Sequence, residues 1–240
     1  MKLRPALIPA LLVIASAQCF AVVSRPPVGT VLPVRLETTL RAETKPGTEI
    51  RATVMQDVAL PDGGKIPVGT RLSGHVVAIS PNEVTLQFDS LMVKGNVVPV
   101  STSLRAIAAP LDVQDALTPK NLGERFNTPW EGNTAQIGGE VAYRDAELMD
   151  GLKPVGKALA DGSVLAPLRA SPRGCAADPN VQSLWVFSTT ACGVYGDMGL
   201  SIAHNGKTDP VGQIVLRSEP HEKLLVRNGT GMMLRVLNRQ

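Results

Sequence analysis

Proline and glycine punctuate this chain so often that its apolar runs stay short, and no stretch after residue 21 is long and apolar enough to span a membrane as a helix. With 22 Gly and 19 Pro in 240 residues, the intervals between breakers are strand-sized, and β-branched and apolar residues fill them. Val31–Leu36, Glu49–Val58, Arg71–Ser80 and Glu83–Leu91 read as strands in the first half. Within the last of these, Val84, Leu86 and Phe88 alternate with Thr85, Gln87 and Asp89, the pattern of a half-buried strand. Lys94-Gly95-Asn96 then turns the chain into Val97–Val100, which predicts a hairpin. Leu184–Ser188, Leu200–His204, Gly212–Ser218, Lys223–Arg227 and Met232–Leu237 repeat the style near the C-terminus. The expectation is an all-β protein, a soluble barrel-like or sandwich fold of short strands.

One tetrapeptide recurs. Pro27-Val28-Gly29-Thr30 returns as Pro67-Val68-Gly69-Thr70, each followed two residues later by a leucine. A turn whose glycine supplies positive φ and whose threonine launches a strand accounts for both copies. Asn205-Gly206 and Asn228-Gly229 are further turn dipeptides. Asn228-Gly229-Thr230 also spells a glycosylation sequon, for which the turn is the simpler reading.

The segment from residue 110 to 162 differs from both flanks. It is polar, carries Pro110, Pro119, Pro129 and Pro154, and has helical patches near 119–126 and 143–152 at most. It is expected to be an irregular insertion between two β halves, residues 22–109 and 163–240. Its Trp130, between Pro129 and Glu131, is the candidate anchor for a partner. Trp185, inside the apolar run Leu184–Phe187, is expected to fill the core.

Residues 1–21 read as an export signal: Lys2 and Arg4, an apolar run from Leu7 to Ala17, then small residues. The run is too short to span a bilayer, and Pro5 and Pro9 interrupt it. Cleavage after Ala21 is preferred to cleavage after Ala17; acylation of Cys19 fits poorly with Gln18 before it. The expected location is the periplasm or outer envelope. Removing Lys2 and Arg4 lowers the formal charge from +3 almost to neutrality. No Lys/Arg run remains to displace counterions from a nucleic acid. Cys175 and Cys192 are then the two cysteines of an exported chain, and a disulfide between them is predicted, flanked by turns at 172–174 and 178–180.

The run Val28–Leu36, Pro46-Gly47, Ala52-Thr53-Val54, Asp57-Val58 and Gly64–Val76, followed by Val84–Leu91, resembles the C-terminal β-barrel domain of TrbI-type scaffolds of conjugation and type IV secretion systems. The resemblance covers about residues 26–108. It implies strands and turns of a periplasmic barrel-like module that assembles into an outer-membrane-associated ring. Those scaffolds carry an uncleaved membrane helix and a long proline-rich stalk, whereas this chain is expected to carry a cleavable signal and almost no stalk, and from Pro110 onward the sequence is too polar for their antenna helices.

Chemistry-bearing patterns are sparse. Ser201, His204 and Asp209 lie close in sequence, but Ser201 and His204 fall at odd spacing on one predicted strand and would face opposite ways. His75 reads as a strand residue of the surface or the packing, and no metal-ligand spacing, P-loop or nucleophile elbow occurs. Aromatics make up 3% of residues, too few for a porin's two girdles or for a sugar-binding platform. The reading is a non-enzymatic envelope protein without cofactor or metal, acting as a structural or interaction module on an envelope protein or on itself. The alternatives are a small envelope hydrolase using Ser201 and His204, and a ligand-binding barrel.

Overall fold

The computed structural model describes residues 25–117, 132–144, 147–150, 152–159, 164–197, 199–203 and 212–238. The export signal, Trp130, His204 and Asp209 lie outside these residues, as does the helical patch at 119–126.

In chain order the strands are β1 (Val31–Leu36), β2 (Leu40–Arg41), β3 (Glu49–Val54), β4 (Val58–Ala59), β5 (Lys65–Ile66), β6 (Arg71–Ser80), β7 (Glu83–Val93), β8 (Asn96–Pro99) and β9 (Thr102–Ala108). Helix α1 (Pro110–Leu117) follows. Then come β10 (Gly132–Gln136), β11 (Gly139–Arg144), β12 (Glu147–Asp150), β13 (Lys153–Ala158), β14 (Val164–Leu168) and β15 (Asp178–Leu184). The chain finishes with β16 (Gly193–Tyr195), β17 (Leu200–Ile202), β18 (Gln213–Ser218), β19 (Leu225–Val226) and β20 (Gly231–Val236).

Two sheets carry the fold. The larger runs β16-β9-β20-β1-β3-β6-β7-β18-β17, with β8 paired to β7, and is antiparallel except for β16 beside β9. It curls until β17 and β18 approach β16 and β9, but no ladder joins the two ends, so it is not a closed barrel. The second sheet is a six-stranded meander, β10 to β15 in sequence order. The all-β expectation holds, in a sandwich-like rather than a barrel form. Of the segment expected to be an irregular insertion, the described residues form helix α1 and strands β10–β13, and those described within the 143–152 patch are strand and turn.

The curled sheet encloses the main core, with Leu32, Val34, Leu36, Ile50, Leu72, Leu86, Phe88 and Leu234 almost wholly buried. A second core lies outside it, where Val31, Ala106, Ala108 and Met233 meet Val113 and Ala116 of α1, Leu184, Val186 and Phe187. Strands β1, β9 and β20 therefore bury both faces, and read as apolar runs rather than alternation. Two bulges redirect side chains. In β9 the partners of Met233 and Leu234 are Ala106 and Leu104, leaving Arg105 as the extra residue. In β7, Asp89 is the extra residue opposite Ser73 and Gly74. The inward face accordingly shifts from Val84, Leu86 and Phe88 to Leu91 and Val93.

The repeated turn occurs four times. Residues 27–30, 45–48, 67–70 and 227–230 each end in Gly-Thr, and each closes with the Thr N–H on the carbonyl three residues back, at 3.1–3.2 Å. The glycines sit at φ +90, +80, +81 and +91, as the third position of a type II turn requires. In every copy the Gly N–H and Thr C=O grip one residue of a neighbouring strand, namely Val236, Val76, Val54 and Leu36, at 2.7–2.9 Å. The four turns thus launch β1, β3, β6 and β20, which are adjacent in the sheet. Asn228-Gly229 is part of this device, in agreement with its reading as a turn.

Candidate functional site

The seam between the two sheets is joined by polar side chains that reach the backbone. Gln182 on β15 accepts the Val31 N–H at 3.0 Å through Oε1 and donates Nε2 to Gly29 O at 3.1 Å. Ser183 Oγ donates to Asp57 O at 3.0 Å, and Gln56 Oε1 accepts the Val186 N–H at 3.2 Å. Asp178, 5% exposed, meets Arg235 across the same seam at 2.6 Å. These contacts satisfy backbone groups that the docked sheets cut off from water.

Arg105, set apart by its bulge, is a charge buried as deeply as Asp178, at 5% exposure. Its guanidinium donates to Ala191 O at 3.0 Å, Ala176 O at 2.6 Å and Arg169 O at 2.7 Å. Burial, then the nearby Arg235, lowers its pKa from the usual arginine value, although a guanidinium stays charged at neutral pH. Two of the three carbonyls adjoin Cys175 and Cys192, which form the predicted disulfide, with Cα atoms 5.9 Å apart. The bridge and Arg105 hold the same loop from two sides. Beside it, Arg173 lies 4.4 Å from the Tyr195 ring centre, and the Tyr195 hydroxyl oxygen accepts the Cys192 N–H at 2.9 Å.

Two grooves border α1 at this seam. One, of about 270 Å³, is lined by Met55, Gln56, Asp57, Val68, Leu117, Trp185 and Val186. Trp185 is only half-buried there, and Phe187 occupies the core instead, which corrects the expectation for Trp185. The cause is that β15 begins at Asp178 and ends at Leu184, so the chain bends before Trp185 rather than continuing as a strand. Val68, from the third copy of the repeated turn, stands 59% exposed at the rim. Asp57 fixes that turn: its carboxylate accepts the Val68 N–H at 2.8 Å and pairs with Lys65. The Lys65 hydrogen bond, followed by the Val68 N–H, holds the Asp57 carboxyl below the ordinary aspartate range. Gln56 Nε2 is buried without a hydrogen-bond partner.

The other groove, of about 320 Å³, is lined by Asp112, Asp115, Ala116, Gln136, Ile137, Gly138, Tyr195 and Gly196.

The remaining sequence candidates that are described, Ser201 and His75, do not gather at the seam. Ser201 Oγ donates to Arg217 O at 3.3 Å on the next strand, and β17 stops at Ile202. His75 Nδ1 lies 2.7 Å from Asp89, the extra residue of the β7 bulge. Among the described residues no group of three or more His, Cys, Asp or Glu is placed to hold a metal ion. No helix described is long and apolar enough to cross a membrane. The seam residues Gln56, Arg105 and Gln182 escaped sequence reasoning, since isolated polar residues in or beside strands carry no motif. The one available signal is Arg105, a charge inside the otherwise uncharged run Thr102–Ala108.

Fold and seam define a class: a β protein built on two main sheets, disulfide-pinned, with two grooves among the described residues at the junction of the sheets. No family model matches the chain, and no curated protein matches it in sequence.

Proposed function

We propose that this chain is an exported cell-envelope protein that acts without catalysis, as a rigid interaction module that docks a partner at the sheet junction. The observation that carries the reading is the groove beside α1. There the flexible Met55, the half-buried Trp185 and Leu117 form an apolar floor next to the exposed Val68. Amphipathic aromatic and thioether side chains in a partly desolvated groove are the common anchors of protein recognition. The backbone around them is held by Gln182, Gln56, Arg105 and the disulfide, so little ordering is left to oppose binding.

The Cys175–Cys192 bridge supports the envelope location, because such bonds persist in oxidising compartments. The TrbI-like run of residues 26–108 supports a role related to secretion-system scaffolds, with an envelope protein or a second copy as partner. A photocrosslinking residue at Val68, on the groove rim, tests the reading in intact cells. A discrete adduct that disappears with Trp185→Ser is expected, and an adduct indifferent to Trp185 would sink the proposal.

A further inference from the structure

We propose that the second groove, between α1 and the Tyr195-Gly196 turn, binds an organic cation, a guanidinium or alkylammonium group. Among the described residues, the charged side chains lining it are the carboxylates of Asp112 and Asp115. Gln136 lines it too, 8% exposed, with Nε2 committed to Trp185 O at 2.7 Å and Oε1 lacking any hydrogen-bond partner. A carbonyl oxygen left without a donor is unfavourable, and a donor arriving in the groove would relieve it. The Tyr195 hydroxyl, which accepts the Cys192 N–H, offers a further polar atom.

The backbone leaves room for the acid. At Gly196, with φ +67, a Cβ atom would fall 2.0 Å from Asp112 Oδ2, so only glycine lets this carboxylate lie across the turn. Ala116 and Ile137 supply an apolar wall for an alkyl stem. The planar fork of a guanidinium can donate to a carboxylate and a carbonyl together, which suits the pair of Asp112 and Gln136. The volume is that of a small-ligand site. Two carboxylates without a third strong ligand are a poor donor set for a bare metal ion. This inference stands apart from the docking groove, since it concerns different lining residues and a different chemistry.

Titration of the isotopically labelled, disulfide-intact protein with n-butylguanidinium, followed by amide NMR, tests it. Saturable shifts at Ile137, Gly138 and Gly196 are expected, with a Kd of about 1 mM, typical of a few charge-assisted contacts. Asp112→Asn and Asp115→Asn, on the outer part of α1, should each weaken binding several-fold while leaving the rest of the spectrum unchanged. Parallel titrations use n-butylammonium and a blocked Ala-Ala-Arg-Ala-Ala peptide. A tighter peptide assigns the site to a protein side chain, and a tighter free cation assigns it to a small molecule; both support a cation site. Absence of saturable shifts, shifts unaltered in Asp112→Asn, or calcium ions binding there more tightly than either cation would overturn it.

Discussion

Thr70 shows how much of this fold is decided by single side chains. Its hydroxyl donates to Pro67 O at 2.6 Å, closing the turn that starts β6, just as Thr30 Oγ1 meets Pro27 O at 2.7 Å. Thr70→Ala should lower unfolding stability by about 1 kcal/mol, with Thr70→Ser recovering most of it in urea melts. Gly69→Ala should cost about 1–2 kcal/mol, because φ +81 is strained for any residue with a Cβ. Asp57 adds a pH dependence of definite sign. Its carboxyl is held below the ordinary aspartate value by Lys65 and the Val68 N–H, so the folded state binds this proton less readily than the unfolded chain. The stabilisation is complete above about pH 4 and is lost as pH falls through the lowered folded value. Asp57→Asn should therefore lower stability at pH 7 and flatten the acid limb of the stability curve. An unchanged limb would show that Lys65 does not pair with Asp57 in solution.

At the scale of elements, the joints between the sheets matter more than any one strand. Gln182→Ala would strand the Val31 N–H and the Gly29 carbonyl, both buried at the seam, at a cost of about 2–3 kcal/mol. Arg105→Met should cost at least as much, because three carbonyls lose their donor, and Arg105→Lys should not rescue it. Denaturant midpoints of the three variants check both statements. These joints also explain what could be read from the chain and what could not. Strands β1 and β6 occupy the residues predicted for them, because branched residues bounded by Pro-x-Gly-Thr turns leave little choice. The repeated turn was legible in two copies. The other two share only Gly-Thr with them, since the rest of each turn accepts many residues. Strand β15 was hidden because Asp-Pro-Asn at its start looks like a turn, and its polar residues serve the other sheet. Strands β10 to β13 were hidden because ladder pairing, rather than apolar periodicity, organises sequences such as Gly132–Gln136 and Lys153–Ala158. The seam grooves were out of reach altogether, since Met55, Leu117 and Trp185 meet only once both sheets are in place.

The described residues form two main β sheets locked by a bridge, an arginine and a few amides, with two grooves at their junction. The bridge closes a separation of 17 residues, for which removal should cost about 3 kcal/mol. Alkylation of living cells before lysis should find Cys175 and Cys192 oxidised, and free thiols at both would contradict the envelope location. The docking proposal is tested most directly by comparing photocrosslinkers at Val68, on the groove, and Val97, 65% exposed on β8 away from it. An adduct of one discrete mass from Val68 that Trp185→Ser removes, with none from Val97, is the predicted result. Equal adducts from both positions, or none from Val68 in a folded and oxidised protein, would contradict the account.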